Sequence, residues 1–272
     1  MIKNMNYINT PFNFTGSKYK LLEQIIPEFD LSKKIFIDLF TGGGSIYTNV
    51  VNLYDKIIIN DIINELIEIH KELINNDDII KKTIQIVPNK DNKESYLKLR
   101  ESFNENKSPE KLWALMMSCT NNMMRFNKKH MFNQTFGKRT FNQNTKKKID
   151  EFIKHIRPYK NKLYFTSEHF SKIKPKNSMV YIDPPYSNAE AGYNAYWKKN
   201  DDNILYEYIK NIENDNSFMI SGIYGEHNGK RSKLIDLLIK DGYNYKLLEY
   251  NYKKVSRSKN NNNNNEIIIM NY

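Results

Sequence analysis

Short apolar runs alternate along the chain with longer stretches of helical spacing. Residues 35–37, 56–60, 163–165, 179–182 and 217–220 are brief, mostly apolar runs that read as buried strands. Apolar positions three and four apart predict helices from 46 onward and over 62–73, 96–103, 112–124, 204–212 and 232–239. An earlier helix carries Leu21, Leu22, Ile25 and Ile26, starts at a Thr15 or Ser17 cap and ends at Pro27. Residues 245–252 and 266–270 read as closing strands, an antiparallel pair joined across the loose asparagine run 260–265. Strand alternating with helix predicts an α/β fold built on a doubly wound sheet. Between about 75 and 160 that rhythm gives way to a mostly helical insertion with a hairpin. No internal repeat is present.

Two strand ends carry the candidate chemistry. After 35–37 comes Asp38-Leu39-Phe40-Thr41-Gly42-Gly43-Gly44-Ser45, a strand, glycine loop and helix that opens a nucleotide-binding sheet. It lacks the Gly-Lys-Ser/Thr of a P-loop, and Tyr47 leaves the dinucleotide pattern incomplete. Asp61 follows about twenty residues on, at the end of 56–60, where a carboxylate suits two ribose hydroxyls or caps the next helix. The run 179–182 stops at Asp183-Pro184-Pro185-Tyr186. Two prolines cannot continue a sheet ladder, so the chain leaves as a stiff turn. A carboxylate, a proline carbonyl and an aromatic face are then held at a strand's carboxyl end, a slot for a flat base bearing an amino group. The tetrapeptide alone also fits a plain polar turn. Upstream, Phe14-Thr15-Gly16-Ser17-Lys18 offers backbone N–H groups and a cation to an anion, or is simply a capped helix. Phe170 either stacks on a ligand ring or fills core, and the aromatic stretch 187–199, with Tyr193 and Trp197, is placed to cover the site.

Charge adds a partner. The chain's 272 residues carry a net +11, with a pI near 9.3. From Lys111 to Lys160 the only acids are Asp150 and Glu151. In that stretch Phe132, Phe136 and Phe141 are interleaved with amides, Lys and Arg around Gly137, which points to phosphates and base edges, although a solvated basic surface has the same composition. Cys119 is the single cysteine and the five histidines lack ligand spacing, so neither a disulfide nor a metal site is expected. No apolar run approaches the ~20 residues needed to span a bilayer, and residues 1–6 lack a signal peptide's apolar core. A cytoplasmic location is expected.

Taken in order, the Phe14–Lys18 stretch, the glycine loop, Asn60-Asp61-Ile62 and Asp183-Pro184-Pro185-Tyr186 resemble the Dam family of DNA N6-adenine methyltransferases, the D12 class, with the T-even phage type as the nearest likeness. The likeness extends through Met123-Met124-Arg125, Phe136 to Thr140, Asn144, Tyr193-Asn194, Trp197 and residues 266–271. It implies a Rossmann-like sheet and S-adenosyl-L-methionine as cofactor. It divides the chain into a catalytic unit, 1–74 and 161–272, and a DNA target-recognition unit, 75–160. Cofactor contacts carried over are Phe14, Thr15, Gly16, Lys18, Asp38, Phe40, Gly42, Gly44, Ser45, Asp61, Ile62, Phe170 and Asp183. Asn121, Met123, Arg125, Asn127, Asn133, Thr135, Lys138 and Arg139 fall where the family meets DNA. Asp183, Pro184, Pro185 and Tyr186 are the catalytic set. Thr135 replaces a proline of the phage type and His169 an acid common in the family, so the expected GATC-like target and the contact to the cofactor's adenine amine both carry a departure. The expected partner is double-stranded DNA, bound by a protein monomeric in solution that can place more than one copy on DNA. Methylation of cytosine N4, RNA adenine or a protein glutamine fits the central tetrapeptide equally, and a non-catalytic DNA-binding regulator is the rival of a different class.

Overall fold

The computed structural model describes residues 6–185, 194–198, 200–224, 232–249 and 266–272. In chain order the elements are α1 (Leu22–Ile25), β1 (Ile35–Asp38), α2 (Ser45–Val50), β2 (Lys56–Asn60), α3 (Asn64–Asn75), α4 (Asp78–Ile86), α5 (Lys93–Glu105), α6 (Pro109–Ser118), α7 (Gln143–Ile156), β3 (Leu163–Thr166), β4 (Ser178–Ile182), α8 (Asp201–Ile212), β5 (Ser217–Ile223), α9 (Lys233–Lys240), β6 (Asn244–Leu248) and β7 (Glu266–Met270). The strands form one seven-stranded sheet in the order β3-β2-β1-β4-β5-β7-β6. Every pairing from β3 to β5 is parallel, and β7 runs antiparallel to both β5 and β6. This is a Rossmann-like sheet with flanking helices.

Strand order reverses between β1 and β4, so the chain turns away from the sheet in opposite directions at their carboxyl ends and leaves a crevice there. Asp38 pairs in register with Tyr181 on one side and Ile59 on the other. The glycine loop, Asp61 and Asp183 therefore emerge along one edge of the sheet. Alternate residues of each central strand face opposite layers. Phe36, Met179 and Tyr181 pack with α2, α3 and α6, whereas Ile37, Val180 and Ile182 pack with α8 and α9. The first of these apolar clusters runs on into Phe103, Trp113, Phe132 and Phe152, so the helices of the insertion share a core with the sheet.

Several boundaries differ from the sequence reading for local reasons. Pro27 does not end the first helix, because it occupies the opening of a 3-10 turn over Ile26–Glu28. Ser17 is the cap that forms, accepting from the Tyr19 N–H. The helix expected from 62 begins at Asn64, after Asp61 Oδ1 accepts the Ile63 N–H at 3.0 Å in a tight turn; Ile63, not Asp61, is the N-cap. The helix over 112–124 stops at Ser118, where Cys119 turns extended and Asn121 and Asn122 take positive φ. There the backbone folds back, with the Gly137 N–H donating to Ser118 O at 2.8 Å; a Cβ on Gly137 would sit 2.2 Å from Cys119 O, so only glycine fits. β6 ends at Leu248, and the expected strand beyond 249, like the asparagine run 260–265, lies outside the described residues. Among the described residues no helix is long and apolar enough to cross a membrane, and no cluster of His, Cys, Asp and Glu could hold a metal ion.

Candidate active site

The glycine loop is fixed by main-chain bonds before any ligand arrives. The Leu39 N–H donates to Tyr181 O at 3.0 Å, Thr41 N–H to Asn60 O at 2.8 Å, and Gly44 N–H to Thr41 O at 2.8 Å. Gly44 has φ +76, and a Cβ there would lie 2.4 Å from the Tyr47 ring and 2.8 Å from His70. The loop turns directly into α2, where the Tyr47 N–H donates to Asp38 Oδ2 at 3.2 Å. Asp38 is 1% exposed. Burial pushes its carboxyl up to about 8, against the Tyr47 N–H and with the charges of Asp183 and Asp61 adding. Asp61 takes the Gly42 N–H on Oδ2 at 3.0 Å, and burial raises its carboxyl too, against the N–H groups of Ile63 and Gly42.

At the end of β4 the Asp183 carboxylate is gripped from both sides. Lys18 Nζ donates to Oδ2 at 2.9 Å and Ser221 Oγ to Oδ1 at 2.8 Å. Lys18 also donates to Gly16 O at 3.1 Å. Tyr181 OH lies 2.9 Å from Ser221 Oγ, so a buried hydroxyl relay backs the carboxylate from β4 to β5. The Lys18 ammonium is nearly sealed from solvent. Burial alone would lower its pKa, but Asp183, Glu266 and Tyr181 outweigh that and hold it well above the usual lysine value. With Asp38, Asp61 and Asp183 gathered around a single buried lysine, the site favours a ligand bearing positive charge.

These groups line one open cleft. Every residue carried over as a cofactor contact lines it except Gly44, which instead packs beneath the loop; Pro184 and Pro185 line it as well. Phe170, 3% exposed, is both core and wall: its ring lies 5.5 Å from Phe40 and 5.6 Å from Trp197. His169 stacks at 4.3 Å on Phe170 and has Nδ1 2.8 Å from Ser171 Oγ. Bare glycine backbone, carboxylates and this aromatic wall match a ligand with a cationic end, ribose hydroxyls and a flat base. Tyr186 and the covering residues 187–193 and 199, Tyr193 among them, lie outside the described residues; Tyr196 and Trp197 line the cleft.

Sequence reasoning passed over several contributors. Asn60, 1% exposed, donates to Leu39 O and Glu168 O and accepts from Thr166 Oγ1 and the Glu168 N–H, stapling the exits of three strands. Ser221, His70 and Tyr47 also went unassigned. In each case the available signal was a polar side chain at a position that strand or helix periodicity buries.

The candidate DNA contacts occupy a different surface. Residues 119–136 form an irregular hairpin, bridged at Cys119 with Phe136 and at Phe126 with Phe132. Its turn is set by Asn127, whose Oδ1 accepts from Lys129 and Met131 N–H groups. Asn122, Met124, Phe126, Phe132 and Gln134 are buried, while Met123, Arg125, Asn127, Asn133 and Thr135 alternate with them. The period of two thus sets those five candidates apart from the buried residues, with Arg125 and Thr135 exposed and Met123, Asn127 and Asn133 half-buried. Asn121, Lys138 and Arg139 are exposed beside it, and Arg139 donates to Asn122 Oδ1. From the inner side Met124 reaches the cleft. Tyr196 packs on Phe126 at 5.4 Å and on His130 at 4.4 Å, joining hairpin and cleft.

Comparison with known proteins gives a consistent set of relatives. A family model described as D12 class N6 adenine-specific DNA methyltransferase matches residues 14–261. The chain is 29% identical to modification methylase StsI of Streptococcus sanguinis, over 98% of this chain and 43% of that protein. It is 28% identical to the type II methyltransferase M.FokI of Planomicrobium okeanokoites, over 99% and 44%. It spans less than half the length of both. The DNA adenine methylase of Salmonella typhi is 26% identical over 67% of each chain.

Proposed function

The chain belongs to the D12 class N6 adenine-specific DNA methyltransferase family, and from that premise we propose that it moves a methyl group from S-adenosyl-L-methionine to N6 of an adenine in double-stranded DNA. The observation that carries this reading is the Asp183 carboxylate, held by Lys18 and Ser221 where β4 opens onto the glycine-loop cleft.

The donor supplies an electrophilic methyl on a sulfonium sulfur, which leaves with the bonding pair as a neutral thioether. Asp61 would take the ribose hydroxyls, Phe170 and Phe40 the adenine ring, and Asp38 with the glycine loop the amino-acid end. An adenine amine inside a duplex is out of reach, so the target base is extruded into the cleft, with Tyr186 assigned to its face. Its nitrogen is a poor nucleophile because the lone pair is delocalised into the ring. Asp183 and the Pro184 carbonyl accept its two hydrogens, favouring a pyramidal nitrogen whose lone pair points at the methyl. Nitrogen gains the carbon and loses one proton. Lys18 and Ser221 already donate to the two Asp183 oxygens, so Asp183 orients the amine and water in the open cleft is the final proton acceptor.

In this reading residues 75–160 recognise the target, in a GATC-like site, through the outer face of the hairpin. The T-even phage subtype rests on the motifs alone. Action as a monomer, with more than one copy able to occupy the DNA, and a place in the cell interior where DNA is found, complete the proposal. Tritiated S-adenosylmethionine offered with duplex DNA, RNA and protein in parallel tests it: label should enter DNA only. Label in RNA or protein, or in none of the three, would refute it.

A further inference from the structure

His70 has no part in the chemistry above, yet it is fully buried and both ring nitrogens are engaged. Nε2 lies 2.9 Å from the Gly42 carbonyl oxygen and Nδ1 lies 2.8 Å from the Tyr47 hydroxyl. A carbonyl can only accept, so Nε2 carries the proton. Nδ1 is then a lone pair, and Tyr47 must donate to it. The ring is neutral: burial drives its pKa down to about 4. Burial likewise raises the Tyr47 phenol far above its ordinary value, so the hydroxyl keeps its proton.

Gly42 is thereby held at both ends. Its N–H donates to Asp61 within the cleft, and its C=O receives His70 from beneath. Its φ of +49 is one that glycine adopts without strain, so the bonds at its two ends, and not the backbone itself, select this shape. The imidazole is itself clamped, with the Phe12 ring edge-on at 4.6 Å and Tyr47 at 5.4 Å. An apolar residue could fill the same volume on α3, but it would leave the Gly42 carbonyl and the Tyr47 hydroxyl without these partners.

We propose that His70 is a positioning residue that holds the glycine loop in its donor-binding shape through the Gly42 carbonyl, with Tyr47 fixing the tautomer. This rests on reading the cleft as the donor site. It predicts a defect in donor affinity rather than in the chemical step, because the loop touches the donor and not the target base.

The test measures binding apart from turnover. Calorimetric titration of the full chain with S-adenosylmethionine and with S-adenosylhomocysteine should show His70→Phe weakening both by about tenfold, roughly one lost hydrogen bond. Its KM for the donor should rise in step, while kcat at saturating donor stays within about threefold and DNA affinity is unchanged. His70→Gln, whose amide can donate at the Nε2 position, should recover most of the loss, and Tyr47→Phe should show a smaller defect of the same kind. Long-range proton–nitrogen NMR of the wild-type protein should find His70 protonated on Nε2. If His70→Phe fails to fold, the Gln and Tyr47 variants and the tautomer still decide the matter. A lowered Tm with unchanged donor affinity would make His70 merely structural, and a proton on Nδ1 would contradict the relay; either overturns the inference. A wild-type chain that binds neither ligand would instead bring down the donor-site reading itself.

Discussion

The cleft and the hairpin stand side by side and are built by opposite rules. In the cleft, functional groups are buried or half-buried and each is tied by bonds that exist before a ligand enters: Asp183 to Lys18 and Ser221, Asp61 to Gly42 and Ile63, Gly42 to His70. On the hairpin, Arg125 and Thr135 are exposed and Met123, Asn127 and Asn133 half-buried, on a frame set by backbone bonds and buried aromatics. Burial in the first region raises the cost of any change, since a substitution strips a partner from something else. Exposure in the second confines the cost to whatever the side chain meets. In the proposed reading, chemistry that must not vary is placed in a preorganised, partly dry site, and sequence reading on a surface that can change without unfolding the chain.

The sharpest test of this contrast is Asp183→Ala. Turnover should fall by about 10³-fold or more, as expected when a transition-state acceptor is lost, while DNA affinity changes only a few-fold. Stability should fall as well, by roughly 3 kcal/mol, because Lys18 loses its main counter-charge in a buried place. Denaturant unfolding beside a turnover assay checks both. On the hairpin, Arg125→Ala should weaken DNA binding by about tenfold or more and leave donor affinity and Tm unchanged. A Tm drop comparable to that of Asp183→Ala would erase the distinction between the regions.

A smaller effect separates orientation from binding inside the cleft. Ser221→Ala leaves Asp183 Oδ1 and Tyr181 OH each short of a partner. We expect kcat to fall roughly tenfold, about one hydrogen bond's worth, with donor affinity little altered. Equal loss in both would mean that Ser221 shapes the whole cleft.

The smallest effect is a proton. Burial pushes the Asp38 carboxyl up to about 8 in the folded chain, against an ordinary aspartate value near 3.8. Between those values the folded state holds a proton that the unfolded state has released, so this group makes stability fall as pH rises from about 4 to about 8. A cationic donor favours the ionised carboxylate. Its binding should therefore release up to one proton near pH 7, and its affinity should rise with pH through about 8. Calorimetry in buffers of different ionisation enthalpy reads the proton count. No release, or uptake, would remove Asp38 from the donor site.

Legibility in the sequence divides along the same line. The five parallel strands announced themselves as short apolar runs, because a sheet covered on both faces has no polar alternation to hide them. The ends of β1 and β4 were readable because glycines and prolines stop a strand for stereochemical reasons, and the end of β2 because its apolar run gives way to Asn60 and Asp61. The relay behind the site was not. Ser221 is remote from Asp183 in the chain, and nothing in a local window tells a buried serine that backs a carboxylate from one that merely fits. His70 falls on the buried stripe of α3 with Leu66 and Leu73, where a lone polar residue was a signal without a partner until Gly42 came into view. The hairpin was harder still. Its helical-looking opening is overruled by main-chain bonds from Thr120 to Thr135 and from Gly137 to Ser118, pairings that periodicity along one segment does not reveal.

The account rests on the amine of an extruded adenine meeting the donor at Asp183. Nucleoside mass spectrometry of duplex DNA incubated with S-adenosylmethionine and either the wild-type chain or Asp183→Ala addresses it most directly. N6-methyladenine should form with the wild type and be absent with the variant. N4-methylcytosine from the wild type, or undiminished N6-methyladenine from the variant, would contradict it.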